Sequence, residues 1–161
     1  MLFEEDINGN DFLFNMLNSL SEMIFIFDSD RKIKYVNDAV KKFVEKNREE
    51  IVVESAHGEI LNCSFFLKDK GCGYGTFCSN CFIRDSIEKA LNGKEPLKDR
   101  EGIITLNRNG RTEKIYVVIN AVPFKSSGQE YVALTMRDIT RLEENEEERR
   151  RELAKLCVIG A

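Results

Sequence analysis

Four cysteines, Cys63, Cys72, Cys78 and Cys81, lie within nineteen consecutive residues of this chain. Eight, five and two residues separate them, and three of the residues between Cys63 and Cys78 are glycines. Four thiolates form a complete ligand set for one zinc ion or one iron–sulfur cluster, whereas disulfide frameworks are typical of short secreted chains. The spacing therefore predicts a metal centre, and the fold must bring these four side chains together.

The rest of the composition narrows the class of protein. With 161 residues, of which 42% are hydrophobic, the chain can form one globular domain with extensions. The net charge of −4 and the lack of a basic stripe argue against binding to nucleic acid. The first residues are acidic and do not resemble an export signal, and apolar runs are too short to span a bilayer. We therefore expect a cytoplasmic domain with reduced thiols and no direct membrane contact.

The hydrophobic periodicity predicts an α+β domain. Apolar residues at helical spacing, including Leu13, Met16, Leu17 and Leu20, indicate an amphipathic N-terminal helix. The next segments predict strands over 23–27 and 33–35, a short helix from Asn37 or Asp38, a helix over 82–91, and strands over 103–106, 115–124 and 131–136. Residues 46–80 are expected to be irregular, with short helical turns at most. Together these elements predict a five-stranded antiparallel sheet with helices on one face.

The C-terminal segment has a different composition. It is highly charged, and Leu142, Leu153 and Leu156 fall at heptad positions whose intervening seam residues are charged. Glu147 and Arg151 are spaced i,i+4 in the favourable order, which contributes about 0.2–0.5 kcal/mol to a helix. We expect a helix here that does not form a tight coiled coil by itself.

This order of elements resembles the PAS sensor domains. Residues 23–28 followed by 33–37 resemble the opening hairpin of that family and its asparagine, here Asn37. The segment Arg137-Asp138-Ile139-Thr140 resembles the junction through which PAS domains continue into a signalling helix. The resemblance implies an N-terminal amphipathic helix at 1–21, a sensor domain at 22–138 and a helical linker toward a kinase dimerisation domain at 139–161.

The last residues resemble a second feature of signalling proteins. Residues 152–156 followed by 158–161 are similar to the lead-in to the dimerisation helix of sensor histidine kinases. In that family the phosphoacceptor histidine follows shortly afterwards, and His57, the only histidine, does not lie there. The resemblance implies a non-catalytic regulatory fragment, with a downstream kinase domain in the same parent chain. We also expect a homodimer, because the first helix and the C-terminal helix lack enough core of their own to bury their apolar stripes.

The resemblance also implies a cofactor. Some PAS sensors of bacterial kinases hold an iron–sulfur cluster through four cysteines in this region, which implies that role for Cys63, Cys72, Cys78 and Cys81. Such a centre would sense oxygen or redox state. We expect the start of the 82–91 helix to lower the thiol pKa values of Cys78 and Cys81.

Other readings of the same residues stay open. A zinc ion could use the same four thiolates to staple a long loop in an interaction domain. Cys78 and Cys81 could instead form a redox-active disulfide. The stretch 62–67, around Cys63, resembles the flavin-binding stretch of photosensor PAS domains, which implies FMN, but Met136 stands where those proteins carry a glutamine. We expect His57 to be a solvated loop residue and Cys157 to lie on a helix face outside the metal site.

Overall fold

The computed structural model describes residues 9–45, 54–66 and 70–159 of the chain. The helices are α1 (Asp11–Ser19), α2 (Asp38–Val44), α3 (His57–Ile60), α4 (Phe82–Gly93) and α5 (Thr140–Ile159). The strands are β1 (Met23–Asp28), β2 (Ile33–Val36), β3 (Leu97–Arg108), β4 (Arg111–Ser126) and β5 (Gln129–Asp138). They form one antiparallel sheet in the order β2-β1-β5-β4-β3, which confirms the predicted α+β class.

The main core lies between one face of the sheet and the helices α2, α3 and α4. Side chains alternate between the faces of a strand, so every second residue of β1, β4 and β5 points toward these helices. Phe27, Leu134 and Ile119 from the sheet pack in one cluster with Ile60 of α3 and Ile87 of α4. Full burial of each such side chain contributes about 1.5–3 kcal/mol to folding.

Helix α1 lies on the opposite face of the sheet. Leu13, Phe14 and Leu17 pack there against a small buried cluster of Ile26, Tyr35 and Tyr131. Met16 and Leu20, which the periodicity placed on the buried stripe, are 44% and 45% exposed. The prediction was wrong for these two side chains because α1 is short and uses Phe14 rather than Met16 to cover the sheet.

Asn37 connects α1, the sheet and α2. Its Oδ1 accepts hydrogen bonds from the backbone N–H of Ile24 and from that of Val40, so it caps α2 as predicted. Its Nδ2 donates to the carbonyl oxygens of Leu17 and Glu22, at 3.0 and 2.9 Å. The side chain is fully buried, and all its hydrogen-bonding groups are used.

The strands β3, β4 and β5 are longer than their apolar patterns indicate. β3 begins at Leu97, six residues before the predicted start, and its first half is polar and largely exposed. A strand at the edge of a sheet can be polar on its solvent side, so the alternation that marks buried strands is absent there.

In the described part of the chain, no helix is both long and apolar enough to cross a membrane.

The described residues between α2 and α4 are mostly irregular, as predicted. Among them, regular structure is confined to α3 and to a 3-10 turn at Cys78–Asn80. Residues 1–8, 46–53, 67–69 and 160–161, which some of the predicted segments include, lie outside the described residues.

Candidate metal centre

The four predicted ligands line a single cavity between the helices and β3. Its volume is about 190 Å³. The walls combine thiols with aromatic and aliphatic side chains. The cavity is therefore mostly apolar, and the cysteine sulfurs are the main groups in it that could bind a metal. The lining residues include Cys63, Cys72, Cys78, Cys81, His57, Gly58, Phe65, Phe66, Phe77, Phe82 and residues 103–106 of β3.

Cys63 is held against the edge of the sheet. It follows α3 and forms an isolated antiparallel bridge with Leu106 of β3. The next residue, Ser64, donates its backbone N–H to the carbonyl oxygen of Thr105 at 3.0 Å, and its hydroxyl reaches the same oxygen at 3.1 Å. Because β3 is the last strand of the sheet, its free edge is available to position this ligand.

Cys78 and Cys81 lie at the start of α4. Cys78 opens the 3-10 turn and is buried, and Cys81 is the residue immediately before the first turn of the helix. The Cys81 N–H donates to the carbonyl oxygen of Cys78, and the Cys81 carbonyl accepts from Asp85 of α4. The C-x-x-C spacing thus places two thiols around one turn, on the cavity side of the helix start.

Two glycines allow the cysteine segment to pack closely. A Cβ atom on Gly58 would lie 2.9 Å from Sγ of Cys72. A Cβ atom on Gly75 would lie 2.1 Å from the carbonyl oxygen of Phe65 and 3.1 Å from Sγ of Cys78. Real Cβ atoms essentially never approach within 3.0 Å, so a side chain at Gly58 would displace the sulfur of Cys72 and one at Gly75 would displace the backbone of Phe65.

Backbone N–H groups point at three of the sulfurs. Each such group stabilises negative charge on the sulfur that it faces, and hydrogen bonds of this type tune the potential of a bound cluster. The N–H groups of Phe65 and Phe66 face Cys63, that of Gly58 faces Cys72, and those of Ile83 and Arg84 face Cys81.

Burial nevertheless raises the thiol pKa values of Cys63, Cys72 and Cys81 above the usual 9.0. Desolvation is the largest cause, because the cavity removes water that would solvate a thiolate. The expectation of a lowered pKa at the helix start was wrong for Cys81, since its two backbone N–H groups do not offset desolvation. These thiols are protonated at neutral pH in the metal-free protein, and binding of a metal would release their protons.

His57 is not a solvated loop residue, contrary to the prediction. It is the first residue of α3, is only 6% exposed and lines the cavity. Its Nε2 lies 3.5 Å from Sγ of Cys81 and 3.8 Å from Sγ of Cys72. Desolvation, with the nearby charges of Arg31 and Arg84, lowers the pKa of His57 from 6.5 to about 4, so the imidazole is neutral at pH 7.

Two arginines place positive charge beside the centre. Arg84 donates to Glu88 at 2.9 Å, and Arg31 pairs with the same carboxylate. The Arg84 charge acts on Cys81, where it favours the thiolate, and on His57, where it disfavours the imidazolium. Neither His57 nor Arg84 was among the predicted site residues. An arginine three residues after Cys81 lies on the same face of a helix, and that spacing was the available signal for Arg84.

The five cysteines are free thiols, and Cys157 is exposed on α5 and outside the residues that line the cavity. Within residues 9–45, 54–66 and 70–159, no group of three or more His, Cys, Asp or Glu side chains is arranged to hold a metal ion. The four cysteines line one cavity, but their side chains do not converge as metal ligands. Ligation would require these side chains to turn toward a common point.

An aromatic pair forms part of the cavity wall toward solvent. The rings of Phe65 and Phe77 are 4.9 Å apart, centroid to centroid, and are tilted by 53°. Phe77 is 57% exposed although it also lines the cavity. Its ring therefore separates the cysteines from bulk water on one side.

The C-terminal helix is fastened to the sheet at its first residue. The hydroxyl of Thr140 accepts the backbone N–H of Tyr116 in β4 at 3.0 Å, and Ile139 donates its N–H to the carbonyl of Tyr116 at 2.8 Å. Asp138 accepts from the Thr140 N–H at 2.9 Å. Tyr116 pairs with Ile103 of β3, the strand that holds Cys63. Hydrogen bonds thus connect the cysteine cavity with the start of α5 through two adjacent strands.

Several solved structures share this fold at low sequence identity. A PAS domain of a two-component sensor histidine kinase is 11% identical, with a TM-score of 0.53, and the match covers 83% of this chain and 98% of that one. The PAS domain of an HTR-like protein from Haloarcula marismortui is 21% identical, with a TM-score of 0.52 and coverage of 84% and 96%. An RNA-binding light-oxygen-voltage receptor is 15% identical, with a TM-score of 0.55 and coverage of 89% and 36%.

No curated protein matches the chain significantly. The PAS fold family, in contrast, matches residues 11–139, which include α1, the whole sheet and the cysteine cavity. That match agrees with the five-stranded antiparallel sheet and its helices. The chain therefore belongs to the PAS fold family.

Proposed function

We propose that this PAS domain is the sensory input domain of a histidine kinase and that it senses oxygen or redox state through a four-cysteine iron–sulfur centre. The observation that carries the proposal is that Cys63, Cys72, Cys78 and Cys81 all line one cavity of a PAS fold. Iron–sulfur clusters are held by four cysteine thiolates, and backbone N–H groups directed at sulfur are typical of their surroundings.

The cavity favours a cluster over the other occupants. A zinc ion sits about 2.3 Å from each sulfur in a closed site, so it needs less room than about 190 Å³. Drug-sized and cofactor ligands occupy pockets of about 300–1,000 Å³, which makes this cavity small for FMN. Met136, where flavin photosensors carry a glutamine, is fully buried in the main core. A polyatomic inorganic centre fits the volume and the donor set best.

The route of the signal runs from Cys63 to α5. When bound, the centre would supply redox chemistry, while the chain supplies the ligands, their backbone hydrogen bonds and the connection to the sheet. A shift of Cys63 acts on β3 through its bridge to Leu106, on β4 through strand pairing, and on Thr140 through Tyr116. The helix that begins there would lead into the kinase domain of the parent chain, which would be the enzyme.

We also propose that the protein forms a homodimer. Phe12 of α1 and Leu142, Leu153 and Leu156 of α5 are exposed, and an exposed apolar stripe on a helix is typical of a protein interface. The charged seam residues of α5 make a weak coil that a small free energy could shift. Light scattering on the protein at several concentrations measures the dimer directly, and a monomer at all of them would refute this part of the proposal.

The test of the centre is metal analysis of protein purified without oxygen. Stoichiometric iron and sulfide, with broad visible absorption that disappears in air, would support the cluster. Zinc without iron would favour the structural staple, and yellow protein would favour a flavin. Protein without any of them that forms a Cys78–Cys81 disulfide in air would favour thiol sensing.

Single cysteine variants assign the ligands. Cys78→Ser and Cys81→Ser should each lose bound iron, whereas Cys157→Ser, which alters an exposed thiol on α5, should keep it. Stoichiometric iron in both Cys78→Ser and Cys81→Ser would refute the ligand assignment.

A further inference from the structure

His57 is not among the four ligands, yet it lies inside their cavity. Its Nε2 faces two sulfurs, at 3.5 Å from Cys81 and 3.8 Å from Cys72. We propose that His57 donates its Nε2–H to these sulfurs and thereby raises the reduction potential of the centre that they hold. This inference rests on the proposed function, because the potential belongs to the bound centre.

The burial of the ring determines where its proton lies. A neutral imidazole has one N–H donor and one acceptor nitrogen. Nδ1 is buried and has no hydrogen-bond partner among the described residues. A proton on Nδ1 would leave a buried donor unsatisfied, whereas a proton on Nε2 faces the sulfurs of Cys72 and Cys81. The geometry therefore favours the tautomer that donates to sulfur.

The lack of a partner for Nδ1 also indicates that His57 is a hydrogen-bond donor to sulfur rather than a metal ligand. Histidines that ligate a metal almost always donate their other N–H to a carboxylate, a carbonyl or water, which orients the ring. Nδ1 of His57 has no such acceptor among the described residues, and the ring instead meets Phe27 edge-on, with centroids 6.2 Å apart. Four cysteines already complete the ligand set of a cluster. His57 is thus a positioning residue that acts through Cys72 and Cys81.

The effect on the potential has a definite sign. Reduction adds one electron and so increases the negative charge on the sulfurs. An N–H dipole directed at a sulfur stabilises the more negative state more strongly, so the donor raises the reduction potential. Loss of the donor should lower it. The apolar lining of the cavity strengthens this effect, because an N–H dipole is screened less there than in water.

The test compares three substitutions at position 57 in protein purified without oxygen. His57→Gln keeps an N–H donor at a reach similar to that of Nε2. His57→Asn keeps the amide but is one carbon shorter, and His57→Leu removes the donor while filling the space. Iron and sulfide content is measured first, and the midpoint potential is then measured by reductive titration followed by visible absorption.

His57→Leu and His57→Asn should have lower midpoint potentials than the wild type, by at least threefold in the reduction equilibrium constant, where tenfold is 59 mV for one electron. His57→Gln should stay within threefold of the wild type. Asn15→Ala, at an exposed residue of α1 that is not among the residues lining the cavity, is the control and should not change the potential.

The outcomes distinguish this inference from the function on which it rests. Loaded His57→Leu and His57→Asn proteins with the wild-type potential would overturn the donor role and leave the cluster standing. Folded variants that all lack iron would show that His57 is a ligand, which also overturns the donor role. Wild-type protein without iron and sulfide would overturn the proposed function, and this inference with it.

Discussion

Gly58 packs so closely against Cys72 that a Cβ atom on the glycine would lie 2.9 Å from Sγ of the cysteine. Gly58→Ala should therefore displace the sulfur, because a thiol at the end of a side chain moves more easily than backbone. We expect the variant to fold with a loss of stability of about 1–3 kcal/mol, and to retain less than half of the wild-type iron. Iron content and urea denaturation measure the two effects separately.

Gly93→Ala is the matched control for that variant. Gly93 is the last residue of α4, and a Cβ atom there would meet no atom within 4 Å. Its iron content should equal that of the wild type. If Gly58→Ala also retained full iron, the close approach of Gly58 to Cys72 would not matter for binding.

The buried imidazole of His57 predicts a pH dependence of stability in the metal-free protein. Its pKa is lowered from 6.5 to about 4, so the folded state disfavours the proton that the unfolded chain accepts. The neutral ring stabilises the fold fully above pH 6.5, and that contribution disappears as the pH falls toward 4. The shift corresponds to about 3 kcal/mol.

Urea denaturation of the metal-free protein at pH 7.5 and pH 4.5 checks this expectation. Carboxylates also titrate in this range, so the useful quantity is the difference between the wild type and His57→Gln, which has no titratable group at position 57. The wild type should lose about 2–3 kcal/mol more than the variant between the two pH values. Equal losses would show that His57 does not titrate in a buried environment. Because the chain has a single histidine, no other imidazole contributes.

Much of this fold could be predicted because its elements carry strong local signals. The β1–β2 hairpin follows from an apolar run, a polar turn and a second alternating segment, and α4 follows from the helical spacing of Ile83, Ile87 and Ala90. The first half of β3 could not be predicted, because its residues lie at an exposed sheet edge and so lack the apolar alternation of a strand that packs on the core. The exposure of Met16 likewise depends on how α1 crosses the sheet, which local spacing does not encode.

The candidate site shows the same division. The cysteines were evident because thiols at close spacing are rare and chemically specific. His57 was assigned to solvent because a lone histidine in an irregular segment has no periodic pattern that reports burial. Its position depends on α3 packing under β1 and against the cysteine segment, which is a tertiary arrangement. The raised thiol pKa of Cys81 also reflects tertiary burial, while its position at a helix start was visible in the sequence.

We expect the ring of Phe77 to slow the access of oxygen to the proposed centre. Its ring contacts Phe65, lines the cavity and is 57% exposed, so Phe77→Ala should open the wall toward solvent. We expect the visible absorption of the loaded protein to decay several-fold faster in air. Tyr74→Ala is the control, because Tyr74 is 68% exposed and is not among the residues that line the cavity. Equal decay rates for wild type and Phe77→Ala would show that oxygen enters elsewhere.

Loss of the Asn37 side chain should destabilise the fold although Asn37 does not line the cavity. Asn37→Ala removes two donors to the carbonyls of Leu17 and Glu22 and the acceptor for the Ile24 N–H, all around a fully buried side chain. Buried groups left without partners destabilise the fold, so we expect a loss of about 2–4 kcal/mol.

Urea denaturation measures this loss, with Asn15→Ala as the control. Asn15 is an exposed residue of α1, and alanine there should change the free energy of unfolding by less than about 0.7 kcal/mol, through helix propensity alone. Asn37→Ala should also increase hydrogen exchange in α1, because Leu17 and Glu22 lose their connection to the sheet. A variant that kept wild-type stability and wild-type protection of α1 would show that Asn37 does not hold this helix on the domain.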